Sequence, residues 1–95
     1  MATYLVFTRT ATTDQAELDT YSSTVAATFK GHPGTPLVAY GAHQVLEGAE
    51  HEGMVILSFP SKEAALGWYD SPGYTEVREH RFKGAAYQVT LVEGL

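Results

Sequence analysis

The chain has no cysteine, which removes disulfides, thiolate metal sites and cysteine nucleophiles together. Cations are scarce. Six Lys and Arg stand against eleven Asp and Glu, for a formal net charge of -5 at pH 7. The six are Arg9, Lys30, Lys62, Arg78, Arg81 and Lys83, scattered singly although three fall near the end of one helix. Nucleic-acid binding needs a basic stripe and membrane-surface binding a basic amphipathic face, so neither partner is expected. No apolar run approaches the length that crosses a bilayer. The opening MATYLVFTRTA has no basic region ahead of an apolar run, and reads as a strand rather than a signal peptide. A soluble cytoplasmic protein is the expectation.

What is present fits one small globular domain over residues 1–95, with 44% hydrophobic and 18% charged residues. A chain this short buries a limited core, so a partner subunit would help it. Thr3 to Thr10 alternates, with apolar residues on both faces. Thr12 to Asp14 offers helix caps, and Leu18, Tyr21, Val25 and Phe29 then recur at helical spacing up to Lys30-Gly31. His32 to Pro36 is a loop. Leu37 to Glu47 reads as one long strand, interrupted at Gly41-Ala42 by a bulge or bend. After a polar turn, Met54 to Phe59 is a short apolar run typical of a central strand. Ser61 caps the next helix, and Ser71-Pro72 fits a fresh cap and first helical position, so that helix breaks in two. Tyr87 to Val92 alternates as the last strand. The order is β-α-β-β-α-β, an α+β ferredoxin-like plait. Helices cover one sheet face. The other is apolar and calls for a two-fold partner, which predicts a homodimer.

Trp68, Tyr69 and Tyr74 put three amphipathic rings within seven residues, more aromatic surface than a small helix needs for packing. They serve equally as core or as pocket wall. The chain also resembles the domain-of-unknown-function family 1330 of the dimeric α+β barrel superfamily. The resemblance rests on Val45 to Gly48, Phe59-Pro60-Ser61, Ala64-Ala65, Trp68-Tyr69, Ser71, Tyr74, Arg81 and Leu91 to Gly94, and covers nearly the whole chain. It implies a dimeric α+β barrel with a pocket between helices and sheet in each subunit. Relatives of that fold include cofactor-free monooxygenases, polyketide cyclases, lactone isomerases and haem enzymes, and a shared fold does not transfer function. Many members carry Arg-Gly-Gly on the second strand where this chain has Tyr40-Gly41-Ala42. A phenol in place of a permanent cation changes what the pocket binds.

Of the four histidines, His32 and His51 fall in loops and read as solvated. His43 follows the Gly41-Ala42 bend, which can turn it into a pocket as an acid-base group. His80 lies one residue off the inner helix face. No zinc-site spacing, phosphate loop or GxSxG elbow occurs, so metal, nucleotide cofactor and Ser-triad chemistry have no support. Arg81 reads either as a carbonyl or anion clamp or as an ion pair with Glu47 or Glu93. The expected catalytic group is therefore His43, Tyr40, Arg81 and Tyr69, with Trp68, Tyr74, Ser61 and Glu47 contacting substrate and no cofactor. The expected activity is cofactor-free cyclisation, isomerisation or dehydration of an aromatic or polyketide-like molecule. A cofactor-free monooxygenase and a non-catalytic dimeric ligand-binding protein are the alternatives.

Overall fold

The computed structural model describes every residue, Met1–Leu95. Strand β1 (Thr3–Thr12) leads to helix α1 (Gln15–Thr24), a 3-10 turn (Ala26–Phe29), and strands β2 (Thr35–Ala39) and β3 (Gly53–Phe59). Helices α2 (Lys62–Tyr69) and α3 (Pro72–Gly84) follow, and β4 (Ala85–Glu93) closes the chain. The sheet order is β2-β3-β1-β4, with every neighbouring pair antiparallel. This is the α+β ferredoxin-like plait expected from the element order.

Local chemistry sets the helix ends. The Asp14 carboxylate accepts from the Ala16 and Glu17 amides at 3.1 and 3.4 Å and starts α1. Ser61 accepts from the Ala64 amide at 3.1 Å and starts α2. The Ser71 hydroxyl accepts from the Tyr74 amide at 3.3 Å and donates to the Trp68 carbonyl at 2.7 Å. It thus closes α2 and opens α3, with Pro72 in the first turn, where its missing N–H costs nothing. The break falls where the sequence places it.

Two local expectations change. The first helical pattern does not run unbroken to Phe29. The Ser23 and Thr24 hydroxyls donate back to the Thr20 carbonyl at 3.0 and 2.7 Å, and Thr28 donates to Val25 at 2.6 Å. Such back-bonding competes with the α ladder, and the chain tightens into the 3-10 turn that carries Phe29. The long strand expected over Leu37 to Glu47 is only Thr35–Ala39. Pro36 cannot donate to a ladder, which suits the edge position of β2, and the register slips between Pro36 and Val38. The bend sits at Tyr40, with φ 56, rather than at Gly41-Ala42. Residues 41–52 leave the sheet.

The inner sheet face carries Leu5, Phe7, Leu57 and Phe59 against Tyr21, Ala65, Trp68 and Tyr74 from the helices. Helices α1 and α3 meet closely at Gly84, where an added Cβ would lie 2.9 Å from Leu18 Cγ. On the outer face the register aligns Val6 with Ile56 and Thr90, Tyr4 with Ser58 and Val92, and Val38 with Ile56. That face is largely apolar, and no element of the chain covers it.

Candidate functional site

Between the inner sheet face and the end of α1 lies a cavity of about 490 Å³ with fourteen lining residues, eleven of them hydrophobic. Phe7, Val55 and Leu57 come from the sheet, Val25, Ala26 and Phe29 from α1 and the 3-10 turn, and Trp68 from α2. Its volume lies in the range of small-molecule sites, and its lining is mostly apolar, as such sites are. Tyr21, Tyr40 and Tyr87 bring phenol groups to the wall, whereas no histidine, carboxylate or basic side chain lines it.

Tyr40 is held there by its backbone. A positive φ is uncommon for a bulky side chain and costs of order 1–3 kcal/mol. The ring then lies over Gly53, where an added Cβ would approach Tyr40 Cδ1 to 2.6 Å. The Tyr40 amide still donates to the Met54 carbonyl at 2.9 Å. Its hydroxyl meets that of Tyr87 at 2.5 Å, a short hydrogen bond between residues 47 apart in sequence. The Arg9 guanidinium lies 4.9 Å from the Tyr40 ring centroid and pairs with Glu52 at 3.1 Å.

A second polar layer stands behind the first. The Tyr21 and Tyr74 hydroxyls share a buried hydrogen bond of 2.8 Å. Arg81 Nη2 donates to the Tyr69 hydroxyl at 3.4 Å, and its guanidinium faces the Phe7 and Tyr87 rings at 5.5 and 5.0 Å. Arg81 makes no ion pair. The pairing with Glu47 or Glu93 considered from the sequence is absent, and the protein's pairs are Arg9–Glu52, Arg78–Asp70 and His80–Glu17.

Of the residues expected at the site, Tyr40 and Trp68 line the cavity. Tyr69, Tyr74 and Arg81 form the layer behind it. His43 is not brought to the cavity. It is exposed in the β2–β3 connection, stacked on His51 at 4.5 Å, with Nε2 3.1 Å from the His51 carbonyl oxygen. The bend that was to turn it inward lies at Tyr40, and the chain has left the sheet by residue 43. Glu47 is exposed in the same connection. Ser61 is occupied as a helix cap and borders a separate depression of about 220 Å³ with Met1 and Glu93. The sequence does not single out Tyr21 or Tyr87, although both line the cavity. Tyr21 carries the helical spacing of a core residue and Tyr87 opens a strand, so their only signal was a phenol at an inward position.

The phenols are donors. Burial first, then the neighbouring Tyr74, pushes the Tyr21 pKa far above the ordinary phenol value. Burial and the hydrogen bond to Tyr87 push Tyr40 the same way. Burial raises Tyr74 as well, against the opposing pull of Arg81. A raised folded pKa contributes stability that is complete below the unfolded phenol value, about 10, and is lost as pH rises above it. Tyr21 alone should therefore cost about 1.4 kcal/mol of unfolding free energy per pH unit above that value. Urea titrations at successive alkaline pH values test this. Tyr21→Phe should flatten the slope, and an unchanged slope would count against a buried neutral Tyr21.

No protein of curated function matches the chain. Several solved structures share its fold. RPA0582, a protein of unknown function from Rhodopseudomonas palustris, aligns with a TM-score of 0.79 at 18% identity, covering 99% of this chain and 82% of that one. A dimeric ferredoxin-like protein of unknown function from Thermobifida fusca gives 0.69 at 11% identity, with 97% and 90% covered. SnoaB, a cofactor-independent oxygenase from Streptomyces nogalater, gives 0.63 at 16% identity, with 99% and 93% covered. Likeness at these identities concerns the fold alone. The family described as Domain of unknown function (DUF1330) matches residues 2–95. With that match running through every strand and helix of the plait, the chain belongs to the DUF1330 family.

Proposed function

We propose that this protein is a homodimeric, cofactor-free enzyme that cyclises, isomerises or dehydrates an aromatic or polyketide-like molecule through its enolate. The observation that carries the reading is the apolar cavity whose polar groups include a hydrogen-bonded pair of tyrosines, Tyr40 and Tyr87. Two hydroxyls own two protons and spend one between them. The other is free for a third acceptor, and a substrate carbonyl oxygen is the natural one in an aromatic chamber. Donors fixed before the reaction stabilise the enolate oxygen as charge develops on it. No side chain of the wall is a base, so the α-proton passes to solvent water, which reaches the donors at the 43% exposed Tyr40. Tyr40 and Tyr87 take the catalytic roles, and His43 takes none.

The lack of a histidine or carboxylate on the wall favours a second reading, a ligand-binding protein without turnover. Deuterium exchange into the α-carbon of an aryl 1,3-diketone, followed by NMR, separates the two. Under the enzyme reading the protein accelerates exchange over buffer, and Tyr87→Phe and Tyr40→Phe each lower the rate roughly 10²-fold while the diketone still binds. Binding with no acceleration selects the second reading, and no binding to the cavity removes both.

The dimer is supported by the uncovered apolar face of the sheet and by the dimeric state of the Thermobifida fusca protein of like fold. Two sheets joined by a two-fold axis make a dimeric α+β barrel and leave each cavity on its own subunit's helical side. No helix is long and apolar enough to cross a membrane.

A further inference from the structure

Arg81 is 3% exposed, its Nε has no hydrogen-bond partner, and no carboxylate neutralises it. A guanidinium stays protonated, and a buried charge without its opposite is costly. The fold supplies only partial compensation. The hydroxyl of Tyr69 accepts one hydrogen bond, the Tyr74 hydroxyl also favours the charged guanidinium, and the rings of Phe7, Phe82 and Tyr87 present their faces at 5.5, 4.9 and 5.0 Å. Phe7 and Tyr87 also line the cavity, so the uncompensated charge lies one aromatic ring behind the wall. The other nearby cations are different, because Glu52 offsets Arg9 and Asp70 pairs with Arg78, which shares the Tyr69 and Phe82 rings with Arg81. No acidic side chain lines the chamber to cancel the field of Arg81.

We propose that the cavity takes its ligand as a delocalised organic anion, an ionised phenol or enol, with Arg81 as the counter-charge and the Tyr40–Tyr87 hydroxyls as donors to its oxygen. The inference rests on the reading of this cavity as the substrate site and names the form in which substrate is held there. A carboxylate or phosphate fits less well. Such groups concentrate charge and are held by direct, often bidentate, contacts from guanidinium or ammonium groups. None of the three arginines lines the wall. A charge spread over an aromatic framework needs no such contact. It is stabilised through the ring by a cation roughly 9 Å away, 5.0 Å from the Tyr87 ring centroid plus about 3.5–4 Å of van der Waals contact, an attraction that the apolar surroundings screen less than water would. Tyr21 and Tyr40, both pushed well above the ordinary phenol value by burial, keep their protons and do not compete as anions.

The test uses 4-nitrophenol, whose phenolate is coloured, with 4-nitroanisole as its permanently neutral counterpart. Quenching of Trp68, the only tryptophan, reports occupancy of the cavity. Phenolate absorbance of the bound probe against pH reports its ionisation. The phenolate should bind about tenfold tighter than the phenol, which lowers the bound probe's pKa by about one unit. Affinity for 4-nitroanisole should not vary across the same range. Arg81→Lys should retain part of the preference, and Arg81→Met should abolish it while neutral 4-nitroanisole still binds. Should Arg81→Met not fold, Arg81→Lys and the contrast between the two probes on the unaltered protein decide. Equal or weaker binding of the phenolate overturns the inference and leaves the cavity reading in place, as does a folded Arg81→Met that keeps the preference. Failure of both probes to quench Trp68 removes the cavity reading itself.

Discussion

Trp68→Ala is expected to destabilise the fold by about 3–5 kcal/mol, a large part of the roughly 5–15 kcal/mol that holds a domain together. Trp68 is the hub of the aromatic core and is 1% exposed. Its ring stacks on Phe29 at 4.6 Å with an interplanar angle of 9° and lies 4.0 Å from the Tyr74 ring. Phe59 stacks on it at 5.8 Å, and Phe7 and Tyr69 meet it edge-on at 6.3 Å. Its indole N–H donates to the Thr28 hydroxyl at 3.0 Å, which ties α2 to the 3-10 turn. Truncation removes these contacts at once. It also opens one wall of the existing cavity, so collapse around the gap is limited. Thermal unfolding should shift down by roughly 15 °C or more. Trp68→Phe keeps a ring and loses the N–H, and should fall between the two. A shift of only a few degrees for Trp68→Ala would mean that the neighbouring rings repack and that Trp68 is not the hub.

Val6→Lys should raise the dimer dissociation constant by roughly 10³-fold or more, because an unpaired charge buried at an interface costs several kcal/mol. Val6 occupies the outer face of the central strand, level with Ile56 on one side and Thr90 on the other. In the proposed two-fold assembly the substitution enters twice, once from each subunit. Sedimentation equilibrium measures the outcome. Glu76→Lys, on the exposed side of α3, should leave assembly unchanged. An unaltered protein that sediments as a stable monomer at micromolar concentration would end the dimer proposal. A Val6→Lys protein that remains dimeric would place the contact on another surface.

The aromatic cluster and the cation beside it also connect stability to function. Trp68 packs the core and forms cavity wall with the same ring. Arg81 is costly to bury, and under the proposed anion binding its position one ring from the cavity gives that cost a use. A core optimised only for stability would carry an apolar residue there, since replacing buried ions by well-packed apolar groups is often neutral or stabilising.

Much of the fold was decided within a few residues of each position, and was therefore legible in the sequence. Ser71-Pro72 breaks the second helix because a hydroxyl cap and a ring without an N–H act locally. Asp14 and Ser61 start helices for the same reason, and Gly31, with φ 81, follows the first helical region as expected. The two-sided apolar pattern of β1 and β3 announced a sheet wanting a second cover. The site was decided elsewhere. Tyr40 meets Tyr87 across 47 residues, and Tyr21 meets Tyr74 across 53. Whether Arg81 had a carboxylate was open in the sequence, which offered Glu47 and Glu93; the packing put neither beside it. The expected bulge at Gly41-Ala42 pointed His43 inward, but the turn occurs one residue earlier, at a tyrosine. Its positive φ is disfavoured locally and is sustained by Gly53 on the neighbouring strand, where the lack of a Cβ makes room for the ring. Element order follows from short-range sterics and hydrogen bonding. The identity of the cavity wall follows from strand register and helix packing, which bring distant residues together and can override a local preference.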